Sequence, residues 1–211
     1  MLKNVEVLYH SSIKINKEKI IYIDPFGIDK EYKDADIIFI THSHYDHFSK
    51  EDILKIKKEG TKIVATKDLE SEIFKLGFKE KDTLLVMPLE KYIVDGIKIE
   101  TIPAYNIGKK FHPKENNWVG YLLTVDNVKY YIAGDTDITE ENKKVICDVC
   151  LLPVGGTYTM SAKEAANLAN YIKPKFAVPT HYGSIVGKKE DGEEFIKNLN
   201  SEITGKILLK N

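Results

Sequence analysis

Asp36-Ile37-Ile38-Phe39-Ile40 is a short apolar run that reads as a buried strand, and it leads directly into Thr41-His42-Ser43-His44-Tyr45-Asp46-His47. Three of the six histidines of the chain stand in this segment, with an aspartate among them. The polar cluster therefore begins where a strand runs out, at the edge of a sheet. Imidazole and carboxylate are ligands shared by zinc, iron and manganese. In an extended segment His42 and His44 point to the same side, because side chains repeat every second residue. Asp46 and His47 follow as the chain turns toward a helix near Ser49, and can address a second point a few ångströms away. A His-x-His pair alone is common surface decoration. Clustering ligating groups at a strand end gains nothing for a core, so the segment reads as a metal site.

At 211 residues and 43% apolar content, the chain can bury a substantial core as a single domain over 1–211 or as two intimately packed halves. A net charge of −1 gives no electrostatic case for a nucleic-acid or membrane partner. No apolar run approaches the roughly 18–20 residues that span a bilayer. The first residues, Met1 to Val7, alternate like a strand rather than a signal peptide, so a cytoplasmic protein acting on a small molecule is expected. Cys147 and Cys150 have Cys-x-x-Cys spacing, which can mark redox or metal chemistry. They lie, however, on the approach to a buried strand, with no helix N-terminus to activate a thiol, and read as small core residues.

In chain order, residues 5–23 form a β-meander whose third strand ends in Asp24-Pro25. An aspartate there could orient a ligand histidine by accepting its second N–H, or could simply serve the turn. His10 is either a turn residue or part of the surround of the site. Ser49 opens a helix that Gly60 closes. A strand (62–65), a helix (68–76) and a strand (84–87) follow, then a hairpin through Asp95-Gly96. Residues 103–118 form a long irregular loop, which in a compact domain is usually functional or disordered. It holds His112 and the lysines Lys109, Lys110 and Lys114, which could receive an anionic group or be a solvated basic surface. The next hairpin ends in Gly134-Asp135. A strand at 149–152 leads to Pro153-Val154-Gly155-Gly156, which reads as a flexible loop. A helix (161–172), a strand ending in Thr180-His181-Tyr182, a helix near 190–199 and a last strand at 206–209 complete the chain. Metal-type ligands thus arrive from four strand ends: 42–47, 103–112, Asp135 and His181.

The order His42-x-His44-x-Asp46-His47, then Gly134-Asp135, then Thr180-His181-Tyr182 resembles the metallo-β-lactamase superfamily. It is most similar to the small hydrolases that include ascorbate-6-phosphate lactonase and N-acyl-phosphatidylethanolamine phospholipase D. Ile23-Asp24-Pro25 and Leu152-Pro153-Val154-Gly155-Gly156 resemble that branch too. The resemblance implies an α+β fold, a four-layer αββα sandwich with the metal site at one edge of the two sheets. It implies that His42 and His44 hold one zinc ion and that Asp46, His47 and His181 hold a second, with Asp135 bridging both. Manganese or iron could replace zinc. Two such cations can acidify and orient a shared water. The resulting metal-bound hydroxide would attack a carbonyl or phosphoryl centre, with Asp46 and His181 as catalytic positions.

One position departs from that pattern. Where the family carries a further histidine after Pro-Ala-x, this chain has Asn106, and an amide oxygen is a poorer zinc ligand than imidazole. Either His112 reaches in from the same loop, or Asn106 binds weakly, or one metal position is often empty. The expected function is hydrolysis of a small anionic ester of the phosphodiester or lactone class. The alternatives are a non-catalytic or regulatory metal-binding protein with an incomplete first metal site, and an iron oxidoreductase.

Overall fold

The apolar run at 36–40 is a strand buried on both faces, since Ile37, Ile38 and Phe39, which alternate across it, are all inaccessible to solvent. The computed structural model describes residues 1–210. These divide into two units, Met1–Met87 with the chain end from Leu209, and Pro88–Leu208.

The first unit is a six-stranded sheet in sequential order: β1 (Val5–Tyr9), β2 (Ser12–Asn16), β3 (Ile20–Ile23), β4 (Ala35–Phe39), β5 (Lys57–Thr66) and β6 (Thr83–Val86). The first three strands pair antiparallel, and β3 to β6 run parallel. Two short helices, α1 (Lys50–Ile56) and α2 (Glu70–Lys75), make the crossovers that parallel neighbours require. Ile38 and Ile40 pack with Ile53 and Ile56 of α1, Ile63 and Ala65 of β5, and Ile73 of α2. Each such isoleucine contributes about 1.5–3 kcal/mol on burial. Ser49 caps α1 through the backbone N–H of Asp52, as its sequence predicts. Gly60 does not close that helix. The helix stops at Ile56, and Gly60 lies within β5 at φ 80°. There the pairing with β4 jumps from Ala35↔Lys57 to Ile37↔Lys62, so the glycine serves a bulge.

The second unit repeats the plan. Its sheet contains β7 (Lys91–Val94), β8 (Ile97–Pro103), β9 (Val119–Val125), β10 (Val128–Ile132), β11 (Val149–Pro153), β12 (Phe176–Thr180) and β13 (Thr204–Gly205). β7 to β10 are antiparallel and β10 to β13 parallel. Helix α3 (Ala162–Ile172) follows β11 and α4 (Asp191–Lys197) follows β12. The expected last strand at 206–209 is replaced by β13, whose two residues pair with Phe176 and Ala177. Beyond it, Leu209 makes a single bridge to Val7 in the first unit's edge strand. No helix among the described residues is long and apolar enough to cross a membrane.

This strand order fixes where functional groups emerge. Asp24 follows β3 and Thr41 follows β4, two parallel neighbours, so both leave the first sheet at its carboxyl-terminal edge. In the second sheet the same edge receives the segments after β10, β11 and β12. It also receives the segment after β8, which points the same way as β10 because both are antiparallel to β9. Crevices outside such strand ends are where ligands bind in α/β sheets.

The first turn of α3 is closed by a capping box. Ser161 accepts from the Glu164 backbone N–H, and the Glu164 carboxylate accepts from the Ser161 backbone N–H. Ser161→Ala is expected to lower unfolding free energy by about 1 kcal/mol, measured by urea denaturation, with metal content unchanged.

Candidate metal centre

In the first unit the site is organised by a buried carboxylate. Asp24 has a left-handed backbone (φ 48°), and its N–H bonds to Phe39 O at 2.9 Å, which ties the end of β3 to the end of β4. Its Oδ1 accepts the Thr41 backbone N–H at 2.8 Å. Its Oδ2 accepts the Thr41 hydroxyl at 2.7 Å and His47 Nδ1 at 2.7 Å. The Thr41 hydroxyl has only one proton, and it goes to Asp24. The oxygen can then only accept from His42 Nδ1, 3.0 Å away. Both His42 and His47 therefore carry a proton on Nδ1, which makes Nε2 the nitrogen able to ligate a metal. A carboxylate that orients imidazoles in this way is a recurrent feature of metal sites.

A tight turn, in which His47 N and Phe48 N both donate to His44 O, brings His47 back beside His42, with ring centroids 4.0 Å apart. His44 Nδ1 lies 3.0 Å from His42 Nε2. Asp46 Oδ2 stands 3.7 Å from His47 Nε2 and 3.2 Å from His10 Nε2. His10, which the sequence leaves open between turn and site, is fully buried against Asp46 in a left-handed conformation (φ 51°). The turn after Asp24 is held by Asp52 of α1, which accepts the Gly27 and Ile28 N–H groups.

The second unit brings His112, Asp135 and His181 together, all three buried. His112 Nε2 and His181 Nε2 lie 3.2 Å and 3.1 Å from the same oxygen, Asp135 Oδ2. His181 also has a left-handed backbone (φ 57°). The chain of Gly155 passes so close that a Cβ there would stand 2.4 Å from His181 O. The Gly155-Gly156 segment is held in place by bonds from Gly156 N to Met160 O and from Val154 N to Thr180 O, rather than being flexible. Positive φ is uncommon outside glycine, and His10, Asp24 and His181 are among the residues that adopt it here.

The long loop is equally well tied. Tyr105 N donates to Thr136 Oγ1, Asp137 N to Tyr105 O, and Ala104 N to Trp118 O. Asn106 is buried, and its Oδ1 accepts from His112 N at 3.1 Å and His112 Nδ1 at 2.9 Å. That oxygen accepts both of its bonds from His112. The expectation of three anion-receiving lysines is corrected in part. Lys109 Nζ is bound by Asp137 at 2.6 Å and Thr159 O at 2.7 Å. Lys114 Nζ binds Glu141 at 2.9 Å and Tyr105 Oη at 3.3 Å. Although burial opposes ionisation of Glu141, its bonds to Lys114 and Tyr105 hold the carboxyl down at about 2. Lys110 is solvent-exposed.

Away from these segments, burial and the neighbouring Asp148 charge push the Cys147 thiol up to about 12, and burial raises Cys150 well above the usual thiol range. Neither forms a thiolate near neutral pH, and both behave as packing residues.

Buried imidazole lone pairs gathered with carboxylates, and no lysine among them, are a donor set that suits a divalent first-row cation. The comparisons agree. The family model described as "Beta-lactamase superfamily domain" matches residues 4–181. A UPF0173 metal-dependent hydrolase of Thermococcus onnurineus is 35% identical, over 98% of this chain and 96% of the relative. Another from Pyrococcus horikoshii is 33% identical over the same shares. A crystal structure from Parabacteroides distasonis, described as a candidate metal-dependent hydrolase, superposes with TM-score 0.82 at 32% identity, covering 98% of this chain and 93% of that one. The chain belongs to the β-lactamase superfamily, among the UPF0173 metal-dependent hydrolases, and has the α+β metallo-β-lactamase fold.

Among residues the sequence did not single out, Thr41 stands out. No motif distinguishes it from an ordinary loop threonine, and only its place between Asp24 and His42 gives it a role. Asp24→Ala would leave the His42 and His47 imidazoles without their fixed tautomer. Zinc affinity, measured by chelator competition, is expected to fall about 10–100-fold.

Proposed function

We propose that this protein hydrolyses a small ester at a carbonyl or phosphoryl centre, with metal ions held by His42, His44, Asp46 and His47 and by His112, Asp135 and His181. Zinc is the metal these ligands favour, with manganese or iron as substitutes. The observation that carries the reading is the meeting of His112 Nε2 and His181 Nε2 on one Asp135 oxygen. Two imidazole nitrogens and a carboxylate oxygen gathered at one point are arranged for a cation. With His112 in this position, the set does not need Asn106 as a ligand, which favours an enzyme over a metal-binding module with an incomplete site.

Bound metal ions would supply Lewis acidity and lower the pKa of a water. The chain's residues would do the rest. Asp24 and Thr41 hold His42 and His47 in the ligating tautomer. Asp46 Oδ2 is the group placed to receive the proton of the attacking water, and His10 Nε2 at 3.2 Å steadies that carboxylate. With Lys109 and Lys114 engaged by Asp137 and Glu141, recognition of an anionic substrate falls to Lys110 and to the metals. The two free thiols suit a reducing compartment such as the cytoplasm.

The test is turnover of bis-p-nitrophenyl phosphate and p-nitrophenyl acetate with zinc or manganese added, before and after chelation. Activity on at least one ester is expected, lost with EDTA and lost at least about 100-fold in Asp46→Ala and His181→Ala. Residual turnover that neither chelator nor variant reduces would refute the assignment.

A further inference from the structure

Asn106 occupies the position where the superfamily pattern has a histidine, and its amide is bonded on both sides. Oδ1 accepts the backbone N–H of His112 at 3.1 Å, and a backbone nitrogen can only donate, so the atom facing it is the oxygen. Nδ2 donates to Tyr158 O at 2.9 Å, which is satisfied only in the same orientation. The amide therefore cannot flip. His112 Nδ1 lies 2.9 Å from that same Oδ1, and two acceptors do not approach this closely, so Nδ1 carries the proton. The backbone closes the ring as well, with Asn106 N donating to His112 O at 2.8 Å. All six residues from 107 to 112 are thus clamped at both ends by one asparagine.

We propose that Asn106 is the positioning residue for His112: by accepting the Nδ1–H it fixes the ring so that Nε2 is the nitrogen facing Asp135 Oδ2, 3.2 Å away. A histidine moved six positions along the chain thereby does the work of one at position 106, and the asparagine becomes its support. The carbonyl of Tyr158, by holding Nδ2, makes this specific to an amide. A carboxylate at 106 would keep the acceptor for Nδ1–H and set its second oxygen against the Tyr158 carbonyl. The proposal rests on the reading that His112 is a metal ligand.

The test is zinc affinity of the metal-free protein, by competition with a chromophoric chelator, for wild type, Asn106→Ala, Asn106→Asp, His112→Ala and the Asn106→Ala/His112→Ala double variant. Asn106→Ala is expected to bind zinc about 10–100-fold more weakly, and Asn106→Asp, which keeps the acceptor but loses the bond to Tyr158 O, to recover only part of that loss. The double variant should bind no more weakly than His112→Ala alone, because the asparagine acts through the histidine. If Asn106→Ala stays within about threefold of wild type while His112→Ala binds weakly, the asparagine has no such role, although His112 remains a ligand. Losses from the two single substitutions that add in the double variant also overturn the proposal. Unchanged zinc binding in His112→Ala removes the reading beneath it. The ¹⁵N spectrum of His112 in the metal-free wild type is independent of whether any variant folds. A proton on Nδ1 is expected, and an unprotonated Nδ1 contradicts the proposal.

Discussion

The first unit depends on one buried carboxylate. Asp24 stands at the end of β3 with every bond directed at the end of β4: backbone to Phe39, one oxygen to Thr41 N–H, the other to the Thr41 hydroxyl and His47. Burying a carboxylate is unfavourable unless its lone pairs are met. Here they are met by the groups whose orientation the site needs. The same three bonds that compensate burial of the carboxylate tie the ends of two strands and set the tautomers of two histidines, so fold and chemistry share one device.

The second unit solves the same problem with a neutral group. Asn106 holds His112 as Asp24 holds His47, by accepting an imidazole Nδ1–H at a buried position. The loop that carries it is long, yet it is stitched to Thr136, Asp137 and Glu141. Two of the three lysines that look from sequence like an anion-binding surface turn out to be fasteners of that loop. Lys109 ties Asp137 to Thr159 O, and Lys114 ties Glu141 to Tyr105.

The strands were legible because their signals are local. The apolar run before Thr41, the Asp95-Gly96 turn and the Ser49 cap each carry their own physics, and each forms where its residues indicate. The histidines were read as ligands because at strand ends they have little other use. What the chain did not reveal is non-local. Gly60 looks like a helix stop, but long-range pairing of β5 with β4 recruits it for a bulge. The chain end looks like a strand, yet only Thr204 and Gly205 find a partner in β12. Lysine charge is visible in a sequence, whereas the carboxylate that absorbs it is not. Thr41 and His10 gain meaning only from Asp24 and Asp46, which lie 17 and 36 residues away.

The central claim is that His112 completes a set of metal ligands in place of the histidine absent at 106. Metal content per chain by inductively coupled plasma mass spectrometry, on protein purified without added metal, tests it most directly. The account predicts about two ions of zinc, manganese or iron in the wild type, falling toward one in His112→Ala. An equal content in both proteins would contradict it.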